Sequence, residues 1–246
     1  PAGVQLIASC LTGDVLTAAQ RRLRWEQEIE VRPLEKSDQQ HLIRKYLGKY
    51  SKRLTSTQEQ TVLAHPLTVN PLFLLTLLYE FRVHGKYETL EKRIRTLLSP
   101  PASKGAGEAP TVDDVFEHVL ERVEADTVTQ HVRSIMEAIW ASRAGLAQDE
   151  LLAIANVAPV QWAAVQLGLD EMLLESGGRW TFAHDFGRKA VQDRYGLVSE
   201  AKVQAHRTLA EYFAKQEPNA RVAEELPWQW EQAGEKERLK DCLTDR

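Results

Sequence analysis

Helical patterning dominates this chain, and strand signals are confined to its start and to one later hairpin. Residues 4–8 (Val-Gln-Leu-Ile-Ala) are apolar and β-branched, which predicts a short buried strand. The next strand signal is Gly177-Gly178, flanked by alternating apolar residues, which predicts a β-hairpin. Because one strand cannot satisfy its own hydrogen bonds, we expect sheet partners for residues 4–8 upstream of Pro1. The sequence therefore predicts a mainly α fold with the remnant of an α/β core at its N-terminus.

Helix-start signals recur through the first third of the chain. Residues 37–40 (Ser-Asp-Gln-Gln) and 55–58 (Thr-Ser-Thr-Gln) have the spacing of capping boxes. Asn70 followed by Pro71 predicts an N-cap and a first helical position. Apolar residues at helical spacing follow each signal, so we expect a bundle of lid helices over residues 35–98.

Composition predicts where one domain ends and the next begins. Residues 99–110 (Ser-Pro-Pro-Ala-Ser-Lys-Gly-Ala-Gly-Glu-Ala-Pro) are typical of a linker. Residues 111–198 predict short helices and then the hairpin, which is the order of a winged helix. Residues 199–246 return to helical pairs and predict a helical domain or the start of helical repeats. Residues 1–34 then form the end of the α/β core.

Charge and cysteine content exclude several classes of protein. The net charge is −4 with a pI near 6.0, and the candidate recognition helix, residues 159–173, contains no Lys or Arg. We therefore do not expect a nucleic-acid partner. The two cysteines, Cys10 and Cys242, fit a reducing cytoplasm, and the longest apolar run, residues 71–78, is too short to cross a bilayer. A soluble cytoplasmic protein without a membrane partner is predicted.

Six short motifs, taken in order, resemble the NACHT-type STAND nucleotidases. The similarity is greatest to the nephrocystin-like and bacterial members that continue into tetratricopeptide repeats. The motifs are residues 6–9 (Leu-Ile-Ala-Ser), 31–34 (Val-Arg-Pro-Leu), 70–74 (Asn-Pro-Leu-Phe-Leu), 145–151 (Gly-Leu-Ala-Gln-Asp-Glu-Leu), 182–185 (Phe-Ala-His-Asp) and 224–228 (Glu-Glu-Leu-Pro-Trp). The resemblance implies the back half of an ATP-dependent signalling switch that controls oligomerisation.

Three candidate nucleotide-binding residues follow from the resemblance to the front of this module. Ser9 ends the first strand at the position beside the γ-phosphate, where many relatives carry an arginine that this chain lacks. Asn70 and Pro71 match the lid motif that packs against adenine. Proline presents a flat apolar face there, and the following helix N-terminus adds positive potential toward phosphates.

The resemblance also assigns a switch role to the end of the hairpin. His184 matches the wing histidine that donates to the β-phosphate of ADP, a bond that strengthens when the imidazole is protonated. A γ-phosphate would crowd this contact, so exchange of ADP for ATP would release the winged helix. Asp185 and Arg188 are expected to support the switch.

The sequence lacks the motifs that would make this chain an enzyme by itself. No G-x-x-x-x-G-K-[ST], no G-x-G-x-x-G, no Ser-His-Asp grouping and no Cys/His pair at metal-ligand spacing occurs. We therefore expect ATP or ADP with Mg²⁺ to bind mainly to an upstream P-loop core, which would hydrolyse ATP slowly. The chain alone would have no catalytic residue and bind no cofactor. Expected partners are that core, downstream repeats that sense a protein ligand, and further copies in an activated homo-oligomer.

Two other functions fit the same patterns. A non-enzymatic helical scaffold for protein interactions would need the same capped helices and the same Trp-rich tail. A winged helix could also regulate by binding nucleic acid, although the predicted recognition helix offers no cation.

Overall fold

The computed structural model describes residues 7–10, 13–22, 28–105 and 108–244. The chain divides into two compact units, Pro1–Pro33 and Leu34–Arg246. Most of the predicted first strand, residues 4–8, lies outside the described residues, and residues 7–10 have no regular secondary structure. The first unit contains helix α1 (Asp14–Arg22).

The second unit is built almost entirely of helices, which confirms the mainly α prediction. Its helices and strands are α2 (Lys36–Gly48), α3 (Ser56–Ala64), α4 (Pro71–Val83), α5 (Leu90–Leu97), α6 (Val112–Asp126), α7 (Thr129–Ala141), α8 (Gln148–Ala155), α9 (Pro159–Gly168), β1 (Leu173–Ser176), β2 (Arg179–Phe182), α10 (Asp185–Tyr195), α11 (Ser199–Phe213), α12 (Ala220–Gln232) and α13 (Lys236–Thr244). Short 3₁₀ turns, Pro66–Val69 and Tyr87–Thr89, precede α4 and α5.

The predicted helix caps are correct for α3 and α4 and wrong for α2. Asn70 Oδ1 accepts hydrogen bonds from the amides of Leu72 (2.9 Å) and Phe73 (3.2 Å), with Pro71 at the first helical position. At α2, however, the helix begins one residue before Ser37. Its capping box joins Glu35 and Asp38. The backbone amide of Glu35 donates to Asp38 Oδ2, with an N···O distance of 3.3 Å. A carboxylate therefore closes this helix start, and the serine lies inside the first turn.

The hairpin forms at the predicted glycines. Gly177 and Gly178 have φ values of 59° and 75°, the left-handed pair of a type I′ turn, and Leu173 pairs with Phe182. A further antiparallel bridge joins Leu146 to β2. Three short helices, α7 to α9, followed by this hairpin give the element order of a winged helix. The domain limits inferred from the sequence remain predictions.

Helix α9 is shorter than the predicted range 159–173, because it ends at Gly168. A Cβ at Gly168 would lie 2.8 Å from Cγ2 of Val123, so only glycine allows α9 to pack this closely on α6. The chain then turns, and Leu173 begins β1.

The buried apolar side chains form one continuous core across the predicted linker, residues 99–110. Phe73 and Leu77 of α4 and Phe116 and Leu120 of α6 are each at most 1% exposed. The same core continues through α7, α9 and α10 to α11 and α12. The lid helices and the winged helix thus share one core in this structure.

Candidate functional site

The predicted switch pair, His184 and Asp185, lies at the surface where β2 ends and α10 begins. His184 is the residue before the first turn of α10, its backbone is extended, and both side chains are exposed. Asp185 places a negative charge in the first helical turn, which the helix dipole favours. The imidazole therefore stands beside a helix N-terminus, the geometry in which proteins commonly bind anions.

An acidic pair lies close to this histidine. Desolvation raises the pKa of Glu171, with Asp170 adding to the rise and Arg82 and His184 opposing it. Arg82 belongs to the C-terminal half of α4, so this end of α4 carries the cation that interacts electrostatically with Glu171.

Aromatic rings fix the position of that arginine. The Arg82 guanidinium lies 4.8 Å from the ring centroid of Tyr50 and 4.3 Å from that of Tyr79, and it donates a 3.0 Å hydrogen bond to the Tyr50 hydroxyl. Such stacking holds a cation in place with its charge retained. Arg82 is therefore a fixed positive group beside the acidic pair.

The lid candidates Asn70 and Pro71 lie at the opposite end of α4. Pro71 is exposed, and the Asn70 side chain is occupied as the helix cap. Pro71 and Arg82 are eleven positions apart in this helix, roughly 17 Å along its axis. No hydrogen bond or ion pair within residues 34–105 and 108–244 joins Asn70 or Pro71 to His184. Their adenine-binding role stays a prediction.

Arg188 packs against α7 and β2. Its guanidinium donates to the carbonyl oxygen of Trp140 and lies 5.4 Å from the Phe182 ring centroid. Burial lowers the pKa of Arg188, and Asp185 opposes that shift. The side chain thus joins α10 to α7 and β2, and its predicted support of the switch would act through this packing. Ser9 belongs to the other compact unit and is exposed.

Two surface clefts of the second unit have linings that include none of the predicted nucleotide-binding residues. One, of about 620 Å³, lies between α2 and α3, and Ile43, Leu47 and Leu63 contribute to its lining. The other, of about 480 Å³, lies beside residues 99–102 and the buried His118. Among the described residues, no group of three His, Cys, Asp or Glu side chains is placed to hold a metal ion.

Buried ion pairs, which the sequence did not predict, join the elements around the site. We call the first the α4–α6 junction: Glu80, with no solvent exposure, pairs with Arg93 (2.5 Å) and Arg122 (2.9 Å). Arg122 also donates to the carbonyl of Gly168 at the end of α9 (2.9 Å). The signal was present in the sequence, because a glutamate within the most apolar helix needs a cationic partner.

The second group, the α6–α10 junction, fixes the helix that begins at the switch pair. Lys189 pairs with the buried Asp113 (2.8 Å), and Arg194 pairs with Glu124 (2.5 Å). The Tyr195 hydroxyl donates to the same Glu124 carboxylate (2.6 Å). These bonds involve residues 189, 194 and 195 and so hold the middle and the C-terminal end of α10 against α6.

The third group, which we call the α12 clasp, joins the terminal helices to the winged helix. Glu225 is fully buried and accepts hydrogen bonds from the amides of Arg143 (3.2 Å) and Ala144 (3.1 Å). Arg221 pairs with Glu225 (2.9 Å) and also with Glu150 (2.8 Å). Two of the six resemblance motifs, at 145–151 and 224–228, therefore meet in space.

A buried amide extends the clasp to α11. Gln229 donates to the carbonyl of Ala141 (2.9 Å) and to Glu225 (2.9 Å), and its oxygen accepts from His206 Nδ1 (2.8 Å). The His206 ring lies between Trp140 and Trp228, with centroid distances of 5.6 and 5.2 Å. Burial lowers the pKa of His206, so the neutral imidazole is the form that this interface accommodates.

Comparison with known proteins connects the chain with helical-repeat proteins. A TPR repeat-containing protein of Dictyostelium discoideum is 29% identical over 252 residues, which cover 100% of this chain and 15% of that protein. Nephrocystin-3 of Mus musculus is 30% identical over 141 residues, covering 53% of this chain and 10% of that protein. No family model matches the chain, and no solved structure does. The chain thus spans a small fraction of the relatives that it matches.

Across the described ranges, no single helix is long and apolar enough to cross a membrane. Helices α8 and α9 reach that length and apolar composition only together, and the two are bent by 106° relative to each other.

Proposed function

We propose that residues 34–246 form the non-catalytic arm of an ADP/ATP-dependent STAND-like switch within a longer protein. One observation carries the proposal: His184 and Asp185 are exposed at the N-terminus of α10, while the rest of α10 is fixed by the α6–α10 junction. An exposed donor mounted on a fixed helix can bind a ligand without rearranging its own support. The arm would report which nucleotide is bound.

The chemistry at this end of α10 suits a terminal phosphate. The imidazole N–H and the first two backbone amides of α10, those of Asp185 and Phe186, are donors, and the helix dipole adds positive potential. In this proposal His184 contacts the β-phosphate of ADP, and the γ-phosphate of ATP occupies the same space. The two nucleotides would then differ in their contact with the arm, as a switch requires.

The buried junctions supply a route from the phosphate to the terminal helices. The α6–α10 junction joins the wing to α6, the α4–α6 junction joins α6 to the lid helices, and the α12 clasp joins α7 and α8 to α12. Displacement of α10 would move these elements together. Similarity to a TPR repeat-containing protein supports helical repeats as the element that the arm moves.

Other parts of the longer protein complete the proposed switch. A P-loop core would hold ATP or ADP with Mg²⁺ and carry any hydrolysis, with Ser9 near the γ-phosphate and Asn70 and Pro71 against adenine. The activated protein would form a cytoplasmic homo-oligomer, and its repeats would bind a protein ligand. Similarity to part of nephrocystin-3 is consistent with this larger architecture.

Calorimetric titration of the longer protein with ADP and a non-hydrolysable ATP analogue tests the proposal. We expect His184→Ala to weaken ADP binding about tenfold, the effect of losing one hydrogen bond to a charged group, and to leave binding of the ATP analogue unchanged. His41→Ala is the matched control, since His41 is also exposed and has no assigned role. Equal ADP affinities for wild type and His184→Ala would overturn the nucleotide role of this residue.

A second candidate function is a scaffold that binds proteins through its helices and has no nucleotide role. It is favoured by the whole-chain similarity to a TPR repeat-containing protein. The same titration separates the two functions, because a scaffold predicts no change in nucleotide binding when His184 is replaced.

A further inference from the structure

Helix α9 has an exposed apolar face that the core does not use. Val160 and Leu167 are 75% and 76% exposed, and the alanines between them, Ala163 and Ala164, are also exposed. Their spacing of i, i+3, i+4 and i+7 places all four on one stripe, while Trp162 and Val165 face the core. A winged helix that binds DNA would place cations on this helix, but residues 159–168 contain no charged side chain.

We propose that this face, the α9 stripe, binds the α9 stripe of a second copy of the chain in an antiparallel helix pair. Along the stripe, the large side chains of Val160 and Leu167 lie at the two ends and the two alanines lie between them. A two-fold axis between Ala163 and Ala164 therefore places Val160 of one copy against Leu167 of the other, with alanine against alanine at the centre. Small residues at the crossing point let two helices approach at the short end of the usual 8–10 Å range.

Charge complementarity favours a second copy as the occupant. Asp170 and Glu171 are exposed just beyond the C-terminal end of α9. In the antiparallel pair they lie opposite the N-terminal end of the partner's α9, where the helix dipole favours negative charge. Because α9 itself carries no charge, the two stripes meet without repulsion between like charges.

The size of the stripe sets the strength of the contact. Four side chains on one helix cover far less than the roughly 800 Å² per partner of a stable interface. The pair is therefore weak between free chains and forms mainly where other contacts already hold two copies together. The pairing requires no bound nucleotide.

Disulfide cross-linking of the full chain tests the pairing and its register. In a Cys10→Ser, Cys242→Ser background, differently tagged Ala163→Cys and Ala164→Cys chains are mixed and oxidised. We expect a mixed dimer to form at least about tenfold faster than between copies carrying Ala64→Cys, because only α9 brings paired Cα atoms within disulfide range. Ala64 is a matched control, being an exposed helical alanine on α3.

A second variant checks that the stripe itself causes the cross-link. Adding Leu167→Lys to the α9 cysteine chains places a charge against the partner's Val160, and the rate should fall to that of the Ala64→Cys control. Circular dichroism confirms that each variant is folded. Equal rates at α9 and α3, or no effect of Leu167→Lys, would overturn the proposal, and neither result bears on ADP binding by the longer protein.

Discussion

At the scale of single residues, buried glutamates differ in how many of their carboxylate oxygens accept a hydrogen bond. Glu225 and Glu80 are completely buried, yet every one of their carboxylate oxygens accepts a hydrogen bond. Glu117 is also buried, but only one of its oxygens has a partner, the Ser103 hydroxyl at 2.7 Å. We therefore expect the hydrogen-bonded carboxylates of Glu225 and Glu80 to stabilise the fold, and the ionised carboxylate of Glu117 not to stabilise it.

Replacement of Glu225 tests the α12 clasp. Glu225→Ala leaves two backbone amides without their acceptor and removes one of the carboxylates paired with Arg221, so we expect a loss of about 3–5 kcal/mol in the free energy of unfolding. The exposed Glu231 on the same helix provides the control, and Glu231→Ala should change stability by less than about 0.5 kcal/mol. Urea denaturation measures both, and a similar small effect for the two variants would contradict the clasp.

Glu117 should give a stability that depends on pH. Burial raises the pKa of Glu117 above that of an unfolded glutamate, with Asp114 and Asp193 adding to the rise. The folded state therefore retains this proton longer, and stability falls as pH rises from the ordinary glutamate pKa through the raised one.

Glu117→Gln removes that loss and keeps an acceptor for Ser103. We expect the variant to have the higher Tm at pH 7, with the difference vanishing at pH values below the ordinary glutamate pKa. Glu211→Gln, at an exposed position, should match wild type at every pH. A variant less stable than wild type at pH 7 would show that the ionised carboxylate is needed.

At the scale of elements, the wing depends on the close approach of residues 145–146 to β2. Leu146 and Trp180 exchange backbone hydrogen bonds of 3.0 and 2.8 Å. Gly145 has φ of +78°, and a Cβ there would lie 2.8 Å from the Trp180 carbonyl oxygen. Gly178 has a similar φ of +75° but no atom within 4 Å of its Cβ position. A side chain at Gly178 would therefore meet backbone strain alone, whereas a side chain at Gly145 would meet both strain and a steric clash.

Alanine substitution at these glycines measures the two effects. Gly178→Ala should cost about 1–2 kcal/mol, the strain of a left-handed alanine. Gly145→Ala should cost more, because a carbonyl of β2 must also move. Denaturation of both variants under one set of conditions gives the comparison, and equal costs would mean that the bridge to β2 is not tightly packed.

Local signals in the sequence determined most of these elements, and distant partners determined the rest. Asn70 with Pro71 fixed the start of α4, and Gly177-Gly178 fixed the hairpin, because each signal acts within a few residues. The start of α2 was placed wrongly because Glu35 and Ser37 can both cap a helix. The junctions could not be located, since Glu225 and the Arg143 amide are 82 residues apart.

The candidate site shows the same limit. The sequence identified His184 and Asp185 through a motif, and the structure places both at the surface. The sequence alone could not show that the Arg188 side chain turns toward Trp140, because that orientation depends on packing between α10 and α7.

At the scale of the molecule, the second compact unit combines regions that composition divides. Residues 99–110 have the composition of a flexible linker, yet Glu80 and Arg122 pair across them and one core lies on both sides. The proposed arm should therefore move as one body from α3 to α12.

Pulsed electron–electron double resonance spectroscopy of doubly spin-labelled protein tests this rigidity most directly. Labels at Ala64→Cys on α3 and Ala223→Cys on α12, in the Cys10→Ser, Cys242→Ser background, report a distance across the whole unit. We predict a single narrow distance distribution, because buried ion pairs and a continuous core join every element between the labels. A broad or two-peaked distribution would contradict the account, since a mobile connection at residues 99–110 could not transmit movement of α10 to the lid helices.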